Sequence, residues 1–188
     1  NFRLYIMVGL PFEEEEDIDA IIDLAERLKD YMETRGSKGT LTLSVNPFIP
    51  KPFTPFQWEP MADRKTVEKR LKRLEKTLRR RKHVVVNIES PKEAYIQGVL
   101  SRGDRRVGEA LMRAHELGGS KAFKRALKEL RLDPAFYLYR KRPESELFPW
   151  ERLDMGFKKS YLYEELKRAE ALKPTIPCFE GCHRCGVC

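Results

Sequence analysis

The sequence predicts an α/β protein built around a parallel sheet, because strand-like and helix-like segments alternate through residues 1–90. Three apolar runs, at residues 3–9, 40–45 and 83–88, have the composition of buried strands. Two segments with apolar residues at helical spacing lie between them. The order strand–helix–strand–helix–strand is typical of parallel strands joined by right-handed crossovers.

The first strand and helix are delimited by clear local signals. Residues 3–9 are apolar along nearly their whole length, which predicts a strand buried on both faces. Pro11 ends this strand, and five acids at residues 13–17 mark a helix start, where the helix dipole favours negative charge. Apolar residues at helical spacing continue to Met32, and the glycine-bounded segment 36–39 ends the helix.

The second predicted helix is strongly basic. Residues 62–82 contain eleven Lys or Arg and three acids, and their net charge of +8 equals that of the whole chain. Its apolar stripe is narrow and consists of Val67, Leu71, Leu74 and Leu78. Clustered Lys and Arg can neutralise phosphates, so this helix is either a solvated outer face or an RNA-binding surface. The segment lacks the aromatic residues that stack on bases.

From Pro91 the alternation stops, and the rest of the chain is predicted to be helical. Helices are expected at residues 93–100, 105–117, 121–130 and 158–172, with an aromatic, proline-interrupted segment at 133–150. Gly103 is expected to end one helix in the left-handed conformation, and Asp104 to cap the next. We divide the chain into residues 1–90, a helical extension at 91–172 and a cysteine-rich tail at 173–188.

All four cysteines lie in that tail, as Cys178, Cys182, Cys185 and Cys188. A disulfide scaffold distributes its cysteines along the chain, so this clustering excludes that class. Thiolates at such short spacings are typical of zinc and iron–sulfur sites. We predict that the four cysteines bind a metal, with iron–sulfur favoured over zinc because compact cysteine runs recur in ferredoxin-type loops. His183 is a weaker candidate ligand.

No apolar run is long enough to span a membrane, since the longest, at residues 4–10, has seven residues. The first residues also lack a basic-then-apolar signal sequence. We therefore expect a cytoplasmic protein without a membrane partner.

Several strings in this sequence are similar to part of a known superfamily. Residues 5–17 (YIMVGLPFEEEED) resemble the late strand-to-helix segment of radical SAM enzymes, in which an apolar strand runs into Gly-x-Pro-x-Glu. Residues 45–57 (VNPFIPKPFTPFQ) resemble the next strand end with its proline-rich loop. Trp58-Glu59-Pro60, SRGDRR at 101–106, Phe148-Pro149-Trp150 and the cysteine run resemble the C-terminal part of an uncharacterised radical SAM subfamily, which often carries an upstream B12-binding-type domain.

The resemblance implies that residues 1–90 form the last βα units of a partial parallel (β/α) barrel, followed by a helical C-terminal extension. It implies S-adenosylmethionine and a 4Fe–4S cluster as cofactors and leaves cobalamin open. Gly9, Pro11 and Pro47 would lie beside the bound S-adenosylmethionine, because they are at the carboxyl ends of predicted strands, where such barrels bind ligands.

The chain departs from the radical SAM pattern in one large respect. The catalytic cluster needs a Cys-x3-Cys-x2-Cys loop near the start of the barrel, and no cysteine precedes Cys178. Cys178, Cys182 and Cys185 have that spacing but follow the barrel strands, so we do not assign them to the catalytic cluster. We interpret the chain as the C-terminal part of a longer enzyme whose missing N-terminal part is its partner. A free-standing paralogue without its catalytic half is the other interpretation.

Two further segments are candidates for ligand contact. The proline-rich loop 47–60 would form part of an active-site rim, with Lys51 and Gln57 as its polar candidates, or it packs as a structural loop. Arg102, Arg105 and Arg106 could bind a carboxylate or a phosphate, or the segment is turn chemistry alone. His83 and His115 are assigned no role.

The predicted function is therefore reductive cleavage of S-adenosylmethionine by the whole enzyme, to start radical chemistry on a substrate that the sequence does not identify. A non-enzymatic RNA-binding module with a structural zinc or iron–sulfur site is the alternative. A small ferredoxin-like electron carrier is the third interpretation.

Overall fold

The computed structural model describes residues 1–187, which divide into two compact units. The first unit comprises residues 1–49 and 61–95. The second comprises residues 50–60 together with the chain from Ile96 onward. Most of the proline-rich loop at 47–60 therefore belongs to the second unit.

Three strands form the sheet of the first unit: β1 (Phe2–Val8), β2 (Leu41–Pro47) and β3 (Val84–Ile88). Both neighbouring pairs are parallel, and the strands lie in the order β1-β2-β3. Leu4 pairs with Leu43, and Leu43 pairs with Val86, so these three residues share one face of the sheet. The predicted α/β class with a parallel sheet is confirmed.

Two helices connect these strands: α1 (Glu15–Thr34) and α2 (Arg64–Leu78). Asp63 caps α2, because its carboxylate accepts hydrogen bonds from the backbone N–H groups of Lys65 and Thr66. The apolar stripes of α1 and α2 pack in one core with the buried strand residues, including Leu41, Leu43 and Val45. Both helices therefore cover the same face of the sheet.

β1 is not buried on both faces, so that prediction was wrong. Leu4, Ile6 and Val8 pack toward the helices, whereas Tyr5 and Met7 on the opposite face are 75% and 52% exposed. Within residues 1–187, no second layer of structure covers the face of β1 on which Tyr5 and Met7 lie. An apolar run predicts a strand, but it does not say whether a second layer is present to bury it.

The remaining helices are α3 (Pro91–Arg102), α4 (Arg105–Glu116), α5 (Phe123–Glu129), α6 (Pro134–Leu138) and α7 (Lys159–Glu170). Short 3-10 helices lie at Pro55–Trp58, Ser120–Ala122 and Pro149–Arg152. The four helices predicted after Pro91 are confirmed, with α6 as an addition inside the aromatic segment.

An aromatic core in the second unit joins segments that are far apart in sequence. The rings of Phe148 and Trp150 stack with centroids 4.8 Å apart. Trp58 is fully buried, and its ring centroid lies 5.7 Å from that of Phe148 and 5.1 Å from that of Tyr163 on α7. Leu166 completes this core. The proline-rich loop, the Phe-Pro-Trp string and α7 are thereby packed together.

Gly103 does not adopt the predicted left-handed conformation, because its φ is not positive. Close packing, and not a left-handed conformation, explains why a glycine occupies this position. A Cβ at this position would lie 2.5 Å from Val107 Cγ2 and 2.7 Å from the carbonyl oxygen of Val99. Asp104 caps α4 as predicted, accepting a hydrogen bond from the backbone N–H of Arg106.

Among residues 1–187, no helix combines the length and the hydrophobicity that a membrane span requires.

Candidate cofactor and metal sites

The structure brings two of the three predicted cofactor positions together at the carboxyl end of the sheet. Val8 pairs with Pro47, and the backbone N–H of Phe48 donates to the carbonyl oxygen of Val8 at 2.8 Å. Gly9 follows Val8 directly, so it lies beside Pro47. Pro11 stands two residues further along the turn between β1 and α1 and is half-buried.

Glu13 holds this turn in place, a role that the sequence did not reveal. Both of its carboxylate oxygens accept the backbone N–H of Gly9, each at 2.9 Å, and one also accepts that of Leu10 at 3.3 Å. The side chain of Glu13 is only 3% exposed. The carboxylate thereby satisfies the two backbone donors that follow the end of β1.

Arg70 on α2 neutralises this buried carboxylate. Its Nη1 lies 2.7 Å from Glu13 Oε1, and its Nη2 donates to the carbonyl oxygen of Glu13 at 2.9 Å. Its Nε donates to Glu15 at 3.1 Å, and this hydrogen bond lowers the pKa of the Glu15 carboxyl. One guanidinium thus ties α2 to the turn that precedes α1.

Gly9 is required here by backbone conformation and by space. Its φ of +90° is strained for other residues, and a Cβ would lie 3.0 Å from Val67 Cγ2 and 3.3 Å from Ala62 Cβ. Its N–H donates to Glu13, so a ligand could not use that donor without displacing the carboxylate. Contact of Gly9, Pro11 and Pro47 with S-adenosylmethionine stays a prediction from the resemblance.

The proline-rich loop places Gln57 in the second unit, buried at 3% exposure within the 3-10 helix Pro55–Trp58. Its side-chain oxygen Oε1 accepts the backbone N–H of Phe53 at 3.2 Å and the indole N–H of Trp150 at 2.9 Å. Lys51, the other polar candidate, donates to the Ser101 hydroxyl at 3.1 Å.

Arg102 is buried and bonded to backbone carbonyls instead of facing the surface. It donates to the carbonyl oxygens of Tyr137 at 2.7 Å and Gln57 at 3.3 Å. Burial, together with the charges of Arg142 and Arg140, lowers the pKa of Arg102 to about 9. A surface site for a carboxylate or a phosphate, shared by Arg102 with Arg105 and Arg106, finds no geometric support, because both of these hydrogen bonds hold backbone segments together.

Arg142 is a second buried arginine that sequence reasoning missed. Its Nη2 donates to the carbonyl oxygen of Arg102 at 2.9 Å, and its guanidinium carbon lies 5.4 Å from the ring centroids of Phe148 and Trp150. Arg106 instead pairs with Asp104 at 2.6 Å on the surface. The side chain of Arg105 forms no hydrogen bond or ion pair within residues 1–187.

The predicted metal ligands Cys178, Cys182 and Cys185 are free thiols, and Cys188 lies outside the described residues. Cys178 is exposed, Cys182 buried and Cys185 half-buried. No group of three or more His, Cys, Asp and Glu side chains with metal-binding geometry occurs in residues 1–187. The donor set of three soft thiols still fits zinc or iron by its chemistry.

Arg184 is the main partner of the Cys182 sulfur. The backbone N–H and the guanidinium of Arg184 both act on the sulfur, with Nε 3.4 Å from Sγ, and together they lower the pKa of the Cys182 thiol. Arg184 also donates to the carbonyl oxygens of Ile176 and Pro177 at 2.7 and 3.1 Å. It therefore folds the tail into a compact loop around Cys182.

The tail is anchored to the segment that precedes α7. The backbone N–H of Lys158 donates to the carbonyl oxygen of Cys185 at 2.8 Å, and its Nζ donates to that of His183 at 2.9 Å. Gly186 has a φ of +91°, and a Cβ there would lie 3.0 Å from the carbonyl oxygen of Gly156. These contacts hold the Cys185 end of the cysteine loop against the segment before α7, whereas Cys178 is exposed.

The basic helix α2 directs part of its charge toward α1. Three arginines, Arg70 and Arg73 on α2 and Arg81 shortly after its end, pair with α1 acids. Their partners are Glu15, Asp19, Glu26, Asp30 and Glu33. The outer bases Lys72, Lys76, Arg79 and Arg80 surround a shallow depression beside Glu75. None of these four forms an ion pair with a residue of the described chain.

Comparison with known proteins gives one sequence relative. No family model and no solved structure matches this chain. An uncharacterised protein of Methanocaldococcus jannaschii is 34% identical over 109 residues, which cover 58% of this chain and 22% of the relative. The match thus spans about a fifth of the relative's length. This chain is similar to one region of a longer protein, and the comparisons assign it to no family.

Proposed function

We propose that this chain is the C-terminal part of a radical SAM iron–sulfur enzyme. The observation that carries the proposal is the sheet, in which three parallel strands follow each other in sequence order and both connecting helices cover one face. A segment of a (β/α) barrel has this arrangement, with its second face turned toward the barrel interior. The exposed side chains of Tyr5 and Met7 lie on that second face.

The length of the relative supports the same proposal. Since 109 residues make up 22% of the matched protein, that protein has room for the barrel strands and the cluster-binding loop that this chain lacks. The cluster, when bound and reduced, supplies the electron that cleaves S-adenosylmethionine to methionine and a 5′-deoxyadenosyl radical. This chain would contribute the wall of the site at Gly9, Pro11 and Pro47, fixed by Glu13 and Arg70.

The thiols of the tail are proposed to hold a second metal centre, an iron–sulfur cluster in preference to zinc. Cys182 and Cys185 are held by the Arg184 and Lys158 contacts, so these two would form the prepared part of the site. Cys178 and Cys188 would supply the other two thiolates.

Metal analysis of the anaerobically purified chain tests this second centre. We expect iron and acid-labile sulfide in the wild-type chain and their loss in a Cys182→Ala, Cys185→Ala double variant. A Ser120→Ala, Ser160→Ala double variant, with two small surface substitutions in the same unit, is the control. Equal metal content in the cysteine variant and the wild-type chain would remove this site, and zinc without sulfide would assign a structural zinc.

The catalytic part of the proposal is tested on two polypeptides. The 188 residues alone, reconstituted and reduced, are expected to release no 5′-deoxyadenosine from S-adenosylmethionine, because the catalytic cluster ligands are absent. A longer polypeptide that adds an upstream Cys-x3-Cys-x2-Cys loop is expected to release it. Product from the short chain, or an upstream coding region without that loop, would contradict the proposal.

RNA binding is a second candidate function, favoured by the outer bases on α2 and directly after its end. Replacing Lys72, Lys76, Arg79 and Arg80 with Gln removes these charges without touching the arginines that pair with α1. If the outer face binds RNA, affinity falls and the dependence of binding on salt becomes shallower. Unchanged RNA affinity in the quadruple variant would dismiss this function.

A further inference from the structure

Two arginines, Arg102 and Arg142, lie in the core of the second unit, where they are only 1% and 3% exposed. An arginine side chain keeps its proton at neutral pH, and this holds for Arg102 although burial and the charge of Arg142 lower its pKa to about 9. A charge removed from water is costly unless an opposite charge or good hydrogen bonds compensate it. Two positive charges that need such compensation are therefore enclosed in this core.

Each of the two guanidinium groups has a buried nitrogen with no hydrogen-bond acceptor among the described residues. Arg102 donates from Nε and Nη1 to the carbonyl oxygens of Tyr137 and Gln57, but its buried Nη2 finds no acceptor within residues 1–187. Arg142 donates from Nη2 to the carbonyl oxygen of Arg102, and its buried Nε is likewise without an acceptor there. Buried N–H groups in folded proteins are hydrogen-bonded in the great majority of cases, so these two donors indicate an acceptor that the chain itself does not supply.

The acids whose charges act on the two arginines are each bound to another base. These pairs are Glu146 with Arg140 at 2.6 Å, Glu59 with Lys141 at 2.9 Å and Asp104 with Arg106 at 2.6 Å. Glu146 also approaches Arg142, with its Oε1 3.7 Å from Nη1, whereas Arg102 forms no ion pair within residues 1–187. Arg102 and Arg142 therefore carry positive charge that the described carboxylates do not neutralise.

The two arginines are close neighbours in an otherwise apolar setting. The hydrogen bond from Arg142 to the backbone of Arg102 is 2.9 Å long, and the charge of Arg142 is, after burial, the largest cause of the lowered pKa of Arg102. The guanidinium carbon of Arg142 lies 5.4 Å from the ring centroids of Phe148 and Trp150. In such surroundings the two charges repel each other strongly, and a hydrogen bond to an anion is stronger than one in water.

We propose that Arg102 and Arg142 together bind a small inorganic anion, such as chloride, inside the core of the second unit. The anion would accept hydrogen bonds from Arg102 Nη2 and Arg142 Nε and would offset the repulsion between the two guanidinium groups. A water molecule could accept the same hydrogen bonds, but it carries no charge to compensate two cations. Because both nitrogens are enclosed, a small free ion fits this site, and a carboxylate carried by a larger ligand does not. The site is independent of the radical SAM proposal, because it concerns residues of the second unit alone.

Bromide is the probe that locates the anion directly, since it resembles chloride and scatters X-rays anomalously. We expect crystals of the whole chain grown in sodium bromide to show an anomalous peak within hydrogen-bond distance of both Arg102 Nη2 and Arg142 Nε. Peaks confined to the protein surface, which represent an adventitious ion only, would overturn the proposal. Electron density for a water at this position, without an anomalous signal, would overturn it as well.

Urea unfolding in chloride tests the same site in solution. Tryptophan fluorescence follows the second unit, which contains both tryptophans, and sodium gluconate keeps the ionic strength constant because its anion is too large for an enclosed site. A ligand that binds only the folded state stabilises it in proportion to its occupancy, so the midpoint should rise with chloride concentration as the logarithm of one plus the ratio of chloride to its dissociation constant. No rise, or an equal midpoint in gluconate alone, would contradict the proposal.

A pair of arginine variants assigns the effect to these residues. Arg142→Met removes one charge and one of the two free donors, so chloride should no longer raise the midpoint, whatever the stability of the variant in gluconate. Arg105→Met is the matched control, because Arg105 is an exposed arginine of the same unit without an ion pair in the described chain, and it should keep the full chloride effect. An equal chloride effect in the two variants would refute the assignment. If Arg142→Met does not fold, the bromide position in the wild-type chain decides the question by itself.

Discussion

Replacing Arg70 with Met should destabilise the first unit strongly, because it leaves the Glu13 carboxylate charged and buried. The two side chains are 10% and 3% exposed, and Arg70 makes three hydrogen bonds in this position. Removing one partner of a buried ion pair costs about 3–5 kcal/mol. With a urea dependence of about 2 kcal/mol per molar, the unfolding midpoint of this unit should fall by about 2 M.

Far-UV circular dichroism in urea is the appropriate measurement. Tryptophan fluorescence reports on the second unit, which contains both Trp58 and Trp150, so it serves as an internal comparison. Arg79→Met, at the residue directly after the end of α2, is the control, since Arg79 is exposed and makes no ion pair with a described residue. A midpoint shift no larger in Arg70→Met than in Arg79→Met would refute the reasoning.

A double-mutant cycle isolates the pair itself. Glu13→Gln keeps an oxygen for the N–H of Gly9 but removes the charge that Arg70 neutralises. When both substitutions are combined, no unpaired charge remains buried, so the loss should be smaller than the sum of the two single losses by about 1–3 kcal/mol. Additive losses would show that the two side chains act separately.

Three other predictions concern the second unit. Arg102→Lys should lower the free energy of unfolding, measured in urea, by about 2–4 kcal/mol. The reason is that an ammonium group cannot donate to two buried carbonyl oxygens in the forked geometry of a guanidinium. A loss below about 0.5 kcal/mol would contradict this prediction. Burial raises the pKa of Glu146, but hydrogen bonds from Arg140 and the charges of nearby arginines outweigh it and lower the pKa, so the stability that Glu146 contributes is present above pH 4.5 and is lost as the pH falls further. Glu146→Gln should therefore flatten the decrease of the thermal midpoint below pH 4.5, and an unaltered acid profile would count against it. Gly103→Ala should destabilise the protein by about 1–3 kcal/mol, because the new Cβ would collide with Val107 and the backbone. Gly108→Ala, inside α4 with open space around it, should instead stabilise the protein by about 0.5–1 kcal/mol. Thermal melts that rank the two variants the other way would exclude the steric explanation.

The sequence was sufficient for the parallel sheet and for the helix positions, because periodicity and caps are local signals. Asp63 and Asp104 cap the helices after them, and the apolar stripe of α2 is the face that enters the core. The sequence did not predict the exposed face of β1, since burial depends on which layers are present and not on the composition of Tyr5 or Met7.

The candidate sites were less predictable, because their key contacts join residues far apart in sequence. Glu13 was part of an acidic helix start, and nothing local distinguished it from its acidic neighbours as the carboxylate that returns to Gly9. Arg70 and Arg81 were counted as surface charge, although both pair with acids of the first βα unit. Gln57 was a polar candidate, but its hydrogen bond with Trp150 joins residues more than ninety positions apart.

The edge position of β1 has a practical consequence for protein handled at high concentration. In the described chain β1 pairs with β2 alone, so its outer side presents alternate N–H and C=O groups that another strand can extend. Arg3 is the charged residue within β1, and the exposed Tyr5 and Met7 offer little resistance to stacking. Strand-to-strand aggregation is therefore the expected failure of this chain in storage, and a charged residue at position 5 or 7 is the remedy that the strand geometry suggests.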